Sequence, residues 1–322
     1  MTAGEAPRVY RTSHSVDVAA PAERVYELVA DVSGWAQIFP PTVHGRVIER
    51  TGNRELIQLW AIANDTAKTW TSWREHDPAK RAVSFRQERS QAPVGGMGGS
   101  WIVDQISTSQ CRVRLLHDFF AASDDPTDIA WIQRAVDHNS EAELGALKAR
   151  AELTDPDELF TFADTVEVDG RAIDVYDFLN EAGLWVQHLP HVQRVELQES
   201  TPGLQVLEMD TRAPDGSIHT TCSVRVCESP SSIRYKQHVL PALLTLHTGQ
   251  WSISEESGTA VSLTSQHTVR INTERVNEVL GSDADVADAA AFVRRALSAN
   301  SMSTLTAAKA HAETLKSPRA AS

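Results

Sequence analysis

Residues 69–77, TWTSWREHD, put four chemically capable side chains at every second position: Trp70, Ser72, Arg74 and His76. Alternate side chains of a β-strand share a face. An indole, a hydroxyl, a guanidinium and an imidazole therefore line one side, and Thr71, Trp73 and Glu75 the other. Such a strip makes a poor apolar core and a good inner wall for a pocket with polar tips. The guanidinium keeps its proton throughout the physiological range, so Arg74 supplies charge and hydrogen-bond donors and does not shuttle protons. Its fork suits a ketone oxygen turning into an enolate or alkoxide, and losing one such donor typically costs about 10²–10³ in rate. The competing expectation is a structural arginine paired with Asp104 or Glu55. The functional reading is preferred because Ser-x-Arg recurs as Ser223 and Arg225 in TTCSVR.

Around this strand, Trp35, Phe39, Trp60, Trp70 and Trp101 offer flat faces that can hold a planar, conjugated guest without trapping the wrong tautomer. Among possible proton carriers, His76 ends its strand before Asp77-Pro78 and is expected to be a solvated turn residue. His138 and Asn139 are adjacent on a helix, about 100° apart, so only one points directly inward. Asn139 is preferred because Asn300 repeats it, whereas Ala299 replaces the histidine. His117 is a further candidate. His188 and His191 in HLPH lack a third ligand, so no metal site is expected. GGMGGS (95–100) lacks the Lys-Ser/Thr ending of a phosphate loop and leads into a strand. It is expected to be a mobile lip over the pocket or a glycine hairpin where the backbone approaches the ligand closely. No Ser-His-Asp order, Cys-His pair or nucleotide fingerprint stands out, so the chemistry is expected to be cofactor-free and non-covalent.

The 322 residues suggest two domains. A hydrophobic content of 41% with 23% charged residues is ordinary globular composition. A net charge of −13 argues against a nucleic acid as main partner. Cys111, Cys222 and Cys227 form no Cys-x-x-Cys pair and read as thiols in a reducing compartment. With no signal-peptide pattern and no apolar run long enough for a bilayer, a cytoplasmic location and no membrane partner are expected.

The elements that must position these residues are written twice. SHSVDVAAPAERVYELVADVSGWAQIFP (13–40) lies over ADTVEVDGRAIDVYDFLNEAGLWVQHLP (163–190) at a constant offset of 150. The offset pairs Trp35 with Trp185 and still holds from Trp101 to Trp251, which makes Trp185 and Trp251 the second copy's candidate walls. NSEAELGALK (139–148) then matches NSMSTLTAAK (300–309) at 161, so about eleven residues are inserted, within RINTERVNEVLGSDADV. Each copy reads as a strand, a helix, several strands of period two and a long amphipathic helix. The fold class is α+β, with a curled antiparallel sheet closed by the last helix and enclosing volume. The expected domains are 1–153 and 154–316, joined through ELTDPDELF, with 317–322 a disordered tail.

The succession DVSGWAQIFPP, W-T-S-W-R, G-G-S-W and NSEAELGALK resembles the bacterial polyketide aromatase/cyclases of the START/Bet v1-like helix-grip superfamily, and the tandem arrangement resembles their two-domain class. The resemblance implies two helix-grip domains and a pocket for a poly-β-ketone carried by an acyl carrier protein of a type II polyketide synthase. It implies a regiospecific first-ring aldol cyclisation of a C9-reduced chain, followed by dehydration to an aromatic ring in antibiotic biosynthesis. Matching positions are Trp35, Phe39, Trp70, Ser72, Arg74, Met97, Trp101 and Asn139, with Ser223, Arg225 and Asn300 their counterparts in the second copy. Thr42 and Val43 stand where some single-domain members have a pocket tyrosine, so a tyrosine general acid is not expected. Arg46, Arg50 and Arg54 form one basic patch for an acidic carrier protein, and a monomer with its two domains paired is expected. The alternative from another class is a non-catalytic carrier of a hydrophobic metabolite, since a fold alone does not choose between them.

Overall fold

The computed structural model describes residues 7–63, 66–212, 216–255 and 260–316. The tail expected to be disordered lies outside the described residues. The chain divides into two compact units between Thr154 and Asp155.

The first unit runs β1 (Tyr10–Val18), α1 (Ala22–Ala30), a 3₁₀ turn (Val32–Gly34), α2 (Trp35–Ile38), β2 (Thr42–Thr51), β3 (Arg54–Ala63), β4 (Thr66–Asp77), β5 (Ala82–Gln87), β6 (Val94–Ser107), β7 (Gln110–Ala121) and α3 (Pro126–Glu152). The second runs β8 (Leu159–Val168), α4 (Ala172–Asn180), α5 (Trp185–His188), β9 (Val192–Thr201), β10 (Leu204–Arg212), β11 (Ile218–Glu228), β12 (Ser232–Val239), β13 (Leu244–Glu255), β14 (Val261–Ile271), α6 (Val276–Leu280) and α7 (Val286–Lys316). Each sheet has seven strands, in the orders β1-β7-β6-β5-β4-β3-β2 and β8-β14-β13-β12-β11-β10-β9. A six-strand meander is thus bordered by the first strand of its own unit, which pairs antiparallel with the last. The inserted residues form α6 and the 3₁₀ turn Thr273–Arg275 before it.

Local chemistry explains the helices. Ala22, Val25, Tyr26 and Val29 recur at helical spacing and are buried, giving α1 its inner face. The Asp125 carboxylate accepts from Thr127 N at 2.8 Å and Pro126 takes the first helical position, which starts α3. Its buried stripe is Ile132, Val136, Ser140, Leu144, Leu147 and Ala151.

That stripe crosses two apolar clusters. One gathers Val18, Val25, Phe39, Trp101, Leu115, Leu144 and Leu147. The other gathers Phe119, Ile132 and Val136, with Tyr10 and Met97 against them. On β7, His117 falls between Leu115 and Phe119; on α3, Ser140 falls between Val136 and Leu144. The second unit repeats the plan, with His267 and Ser301 between a cluster holding Leu263 and Leu305 and one holding Phe162, Val269 and Val293. Polar groups at the middle of an otherwise apolar interior mark where a site belongs.

The glycine run is neither a lip nor a loop, because Gly95–Gly99 lie within β6. Neighbouring atoms demand the glycines: a Cβ on Gly99 would lie 2.0 Å from the Leu116 carbonyl oxygen and 2.7 Å from the Phe85 ring. In the second unit a Cβ on Gly249 would lie 2.2 Å from the Tyr235 ring.

Candidate active site

In the first unit, the β3–β4 register sets Glu55 opposite Arg74, Ile57 opposite Ser72 and Leu59 opposite Trp70. The face expected to be inner is inner: Trp70 packs with Trp35, Val32, Ile57 and Leu59. Arg74 is only 2% exposed. Its Nη2 donates to the carbonyl oxygens of Val29 and Ala30, both at 2.9 Å. These end α1, where helical carbonyls lack partners of their own. Nη1 lies 3.4 Å from Glu55 Oε1, and the Trp35 ring covers the guanidinium at 5.0 Å. Burial lowers the Arg74 pKa to about 10 against the pull of Glu55, which leaves it a cation at neutral pH. Glu55 itself is fully buried and also accepts from Arg50 and from His76 Nε2, the latter at 2.9 Å. Burial raises its pKa, but the His76 and Arg50 hydrogen bonds and the Arg74 charge outweigh that and hold it below the usual carboxylate range.

Farther along the interior, Trp35 meets Phe39 edge-on at 5.2 Å, and Phe39 lies 5.8 Å from Trp101. His117 Nδ1 is 3.3 Å from Ser140 Oγ, and the Phe85 ring lies 5.5 Å away. Burial first, and His14 second, push the His117 pKa down to about 4. Its imidazole is neutral at pH 7.

In the second unit, Arg225 pairs across β10–β11 with Gln205, and the aromatic residue beside it on β12 is Tyr235. Arg225 Nη2 donates to the Leu179 carbonyl, and the Trp185 ring lies 5.4 Å off. Its Nη1 makes no hydrogen bond among the described residues. A cavity of about 110 Å³ opens beside it, walled by Trp185 and Trp251, with Ser223, Arg225 and Asn300 among its polar lining. Tyr235, His247, His267 and Ser301 line it too. His267 Nε2 lies 2.6 Å from Ser301 Oγ, and its Nδ1 lies 2.9 Å from His247 Nε2 and 3.1 Å from the Tyr235 hydroxyl. His247 Nδ1 is 2.8 Å from Gln237 Oε1. Burial pushes His267 to about 4 and His247, with help from its neighbour, to about 3. Burial also pushes the Tyr235 phenol up. Two neutral imidazoles, a phenol and a fixed cation around one cavity can move a proton and hold a developing oxyanion.

Comparison with known proteins gives the family. The family model described as "Polyketide cyclase / dehydrase and lipid transport" matches residues 10–152, and a second with the same description matches 168–287. The chain belongs to the polyketide cyclase/dehydratase family. It is similar to the granaticin polyketide synthase bifunctional cyclase/dehydratase of Streptomyces violaceoruber, 44% identical over 93% of each chain. The actinorhodin counterpart of Streptomyces coelicolor is 43% identical over 95% of this chain and 98% of the other. Among solved structures, the di-domain ARO/CYC BexL from the BE-7585A biosynthetic pathway superposes with a TM-score of 0.90 at 54% identity, covering 94% of this chain and 99% of that one. The di-domain ARO/CYC StfQ from the steffimycin biosynthetic pathway gives 0.83 at 34%, with the same coverage. The expected α+β fold of two tandem helix-grip domains is borne out, the chain is a cyclase/dehydratase enzyme, and the non-catalytic carrier is not favoured.

Within this cyclase/dehydratase several sequence expectations need correction. Trp60 is no pocket wall: it alternates away from Ile57 and Leu59 and is buried on the opposite face, between the His44 ring at 5.2 Å and the Arg46 guanidinium at 5.1 Å. Asn139 is exposed, and the inward position belongs to Ser140, which donates to the Val136 carbonyl at 2.6 Å. Asn300 is exposed as well but borders the cavity beside Ser301. His76 is bound to buried Glu55 and is not a solvated turn residue. Arg74 has the carboxylate and the helix end as partners, so its first role is structural. Phe39 and Trp101 belong to the packed core, and Met97 packs against the Phe119 cluster. Among the described residues, no group of three His, Cys, Asp or Glu is placed to hold a metal, and no helix is long and apolar enough to cross a membrane.

Tyr235, His247, His267 and Ser301 were missed. The signal lay in the repeat: an offset of 150 sets Tyr235 on Phe85, His247 on Met97 and His267 on His117, and 161 sets Ser301 on Ser140.

Proposed function

We propose that the protein binds a C9-reduced poly-β-ketone tethered to an acyl carrier protein, guides the aldol closure of its first ring and removes water to give an arene. The observation that carries this reading is the second unit's cavity, where indole walls meet Arg225, Ser223 and proton-bearing groups. At about 110 Å³ it is on the scale of an engineered cavity of roughly 150 Å³ that takes up benzene. It thus suits one ring of the chain, with the remainder outside. Holding the enol carbon against its ketone can contribute roughly 7–11 kcal/mol to the closure. Arg225 polarises the ketone better than Arg74, because Gln205 stands where Glu55 neutralises the first arginine. Ser72 is buried on the first unit's inner face, with no hydrogen bond to its Oγ among the described residues, and would bind a substrate oxygen. Trp35, Phe39, Trp70, Met97, Trp101 and His117 shape that interior.

Arg46, Arg50 and Arg54 are exposed around the β2–β3 turn and would receive the acidic carrier protein. Reversing the charges of Arg46 and Arg54, and not that of Arg50, which bonds buried Glu55, should weaken turnover of carrier-bound chains and spare a free analogue. A cytoplasmic location and a monomer fit the reading. The deciding experiment adds purified protein to a reconstituted type II synthase that makes the reduced chain. A new first-ring arene supports the proposal; a chain bound but returned unaltered overturns it.

A further inference from the structure

Resting on the activity just proposed, we infer that the second unit has its own acid–base site for the loss of water. In it, Tyr235 gives the proton to the departing oxygen, Arg225 holds the enolate, and His267 and His247 position the phenol. The direction of the hydrogen bonds supports this assignment. With the Gln237 carbonyl accepting, His247 donates from Nδ1 and accepts at Nε2, so His267 donates from Nδ1 and accepts at Nε2 from Ser301. The Tyr235 oxygen lies 3.1 Å from that same His267 Nδ1. It shares an N–H it can only accept, and its own O–H is left for the cavity. An N–H aimed at an oxygen that becomes a phenolate stabilises the charge where it develops.

The surroundings are built for this phenol. Gly249 leaves room for the ring, since any Cβ there would collide with it. The His267 ring stacks on Phe162 at 5.1 Å, fixing the donor. In the first unit the matching positions are Phe85 and Met97, so neither Tyr235 nor His247 has a counterpart beside His117 and Ser140. The two units share a scaffold and differ in the groups that protonate a leaving group.

The step balances as follows. On a β-hydroxy ketone, the imidazole of His191, which lines the same cavity, accepts the proton from the carbon α to the ketone. The C–H electron pair passes through an enolate on Arg225 into a new C=C bond while the C–O bond breaks. Tyr235 protonates the departing oxygen and one water leaves. The proton on His191 returns to the phenolate through water.

The test compares full-length wild type, Tyr235→Phe and His247→Met in the reconstituted synthase assay, following masses with time. Both replacements install the residue found at the matching position of the first unit, and circular dichroism checks that each variant is folded. Expected is a roughly 100-fold slower appearance of arene, with accumulation of a cyclised product heavier by one water and an unchanged melting temperature. His247→Met should slow dehydration and leave cyclisation intact, a split that a purely structural role would not produce. Arene formation at the wild-type rate in Tyr235→Phe overturns the inference and leaves the proposed activity standing. Wild type that returns the chain unaltered removes both.

Discussion

Glu55 lies 3.4 Å from the Arg74 guanidinium, and the residue across the strands from Arg225, Gln205, has no charge to offer. One substitution between the copies thus separates an arginine paired with a buried carboxylate from one with no carboxylate across the strands. Glu55→Gln copies the second unit into the first. It should keep the fold while weakening the grip on Arg50 and His76. Thermal unfolding is expected to fall by several degrees; an unchanged midpoint would mean that the buried carboxylate adds nothing.

Arg74→Ala removes donors from two helix-end carbonyls and leaves Glu55 buried opposite a missing cation. Breaking a buried pair in this way typically costs about 3–5 kcal/mol. Denaturant titration should show that loss, larger than for Arg225→Ala, because Arg225 has no buried carboxylate across from it. Any drop in turnover by Arg74→Ala has to be read against the folded fraction.

Acid should weaken the protein through its buried imidazoles. His117 and His267 titrate near 4 and His247 near 3 when folded, against 6.5 in an unfolded chain. Between those limits the unfolded chain binds more protons, so stability is complete above about pH 6.5 and declines as pH falls toward 4. Two of the three belong to the second unit. Hydrogen exchange from pH 7 to 5, corrected for intrinsic rates, should therefore lose protection in β14 before β7; the reverse order would contradict these buried neutral forms.

Gly249→Ala places a methyl group 2.2 Å from the Tyr235 ring. Overpacking of this kind costs typically about 1–3 kcal/mol, and here it also pushes the phenol off His267. The variant should lose stability and dehydration together. Gly99→Ala, whose Cβ meets a backbone carbonyl that cannot rotate away, should lose stability more heavily.

Strand alternation and helical spacing were enough to read the sheets and the closing helices, because burial imposes periods of 2 and 3.6 on side chains, and the change of repeat offset located the inserted segment. The inward face of Trp70, Ser72 and Arg74 was legible for the same reason. The identity of their partners was not. Whether Arg74 meets a ligand or Glu55 depends on the cross-strand register, and Trp60 is buried although it faces away from the interior, since His44 and Arg46 cover it. A repeated asparagine favours Asn139 over His138, whereas the inward position lies a further rotation of about 100° along the helix, at Ser140. The Tyr235–His267–His247 group spans three strands and becomes one object only when they are placed side by side.

The pairing of β1 with β7 and of β8 with β14 dictates where the protein can be divided. A cleavage between Thr154 and β8 leaves both meanders with their bordering strands. A cut a few residues later strips β8 from β14 and bares a row of unpaired amides and carbonyls, an invitation to aggregate. Separated halves will report on the chemistry of each unit only if the second begins ahead of Leu159.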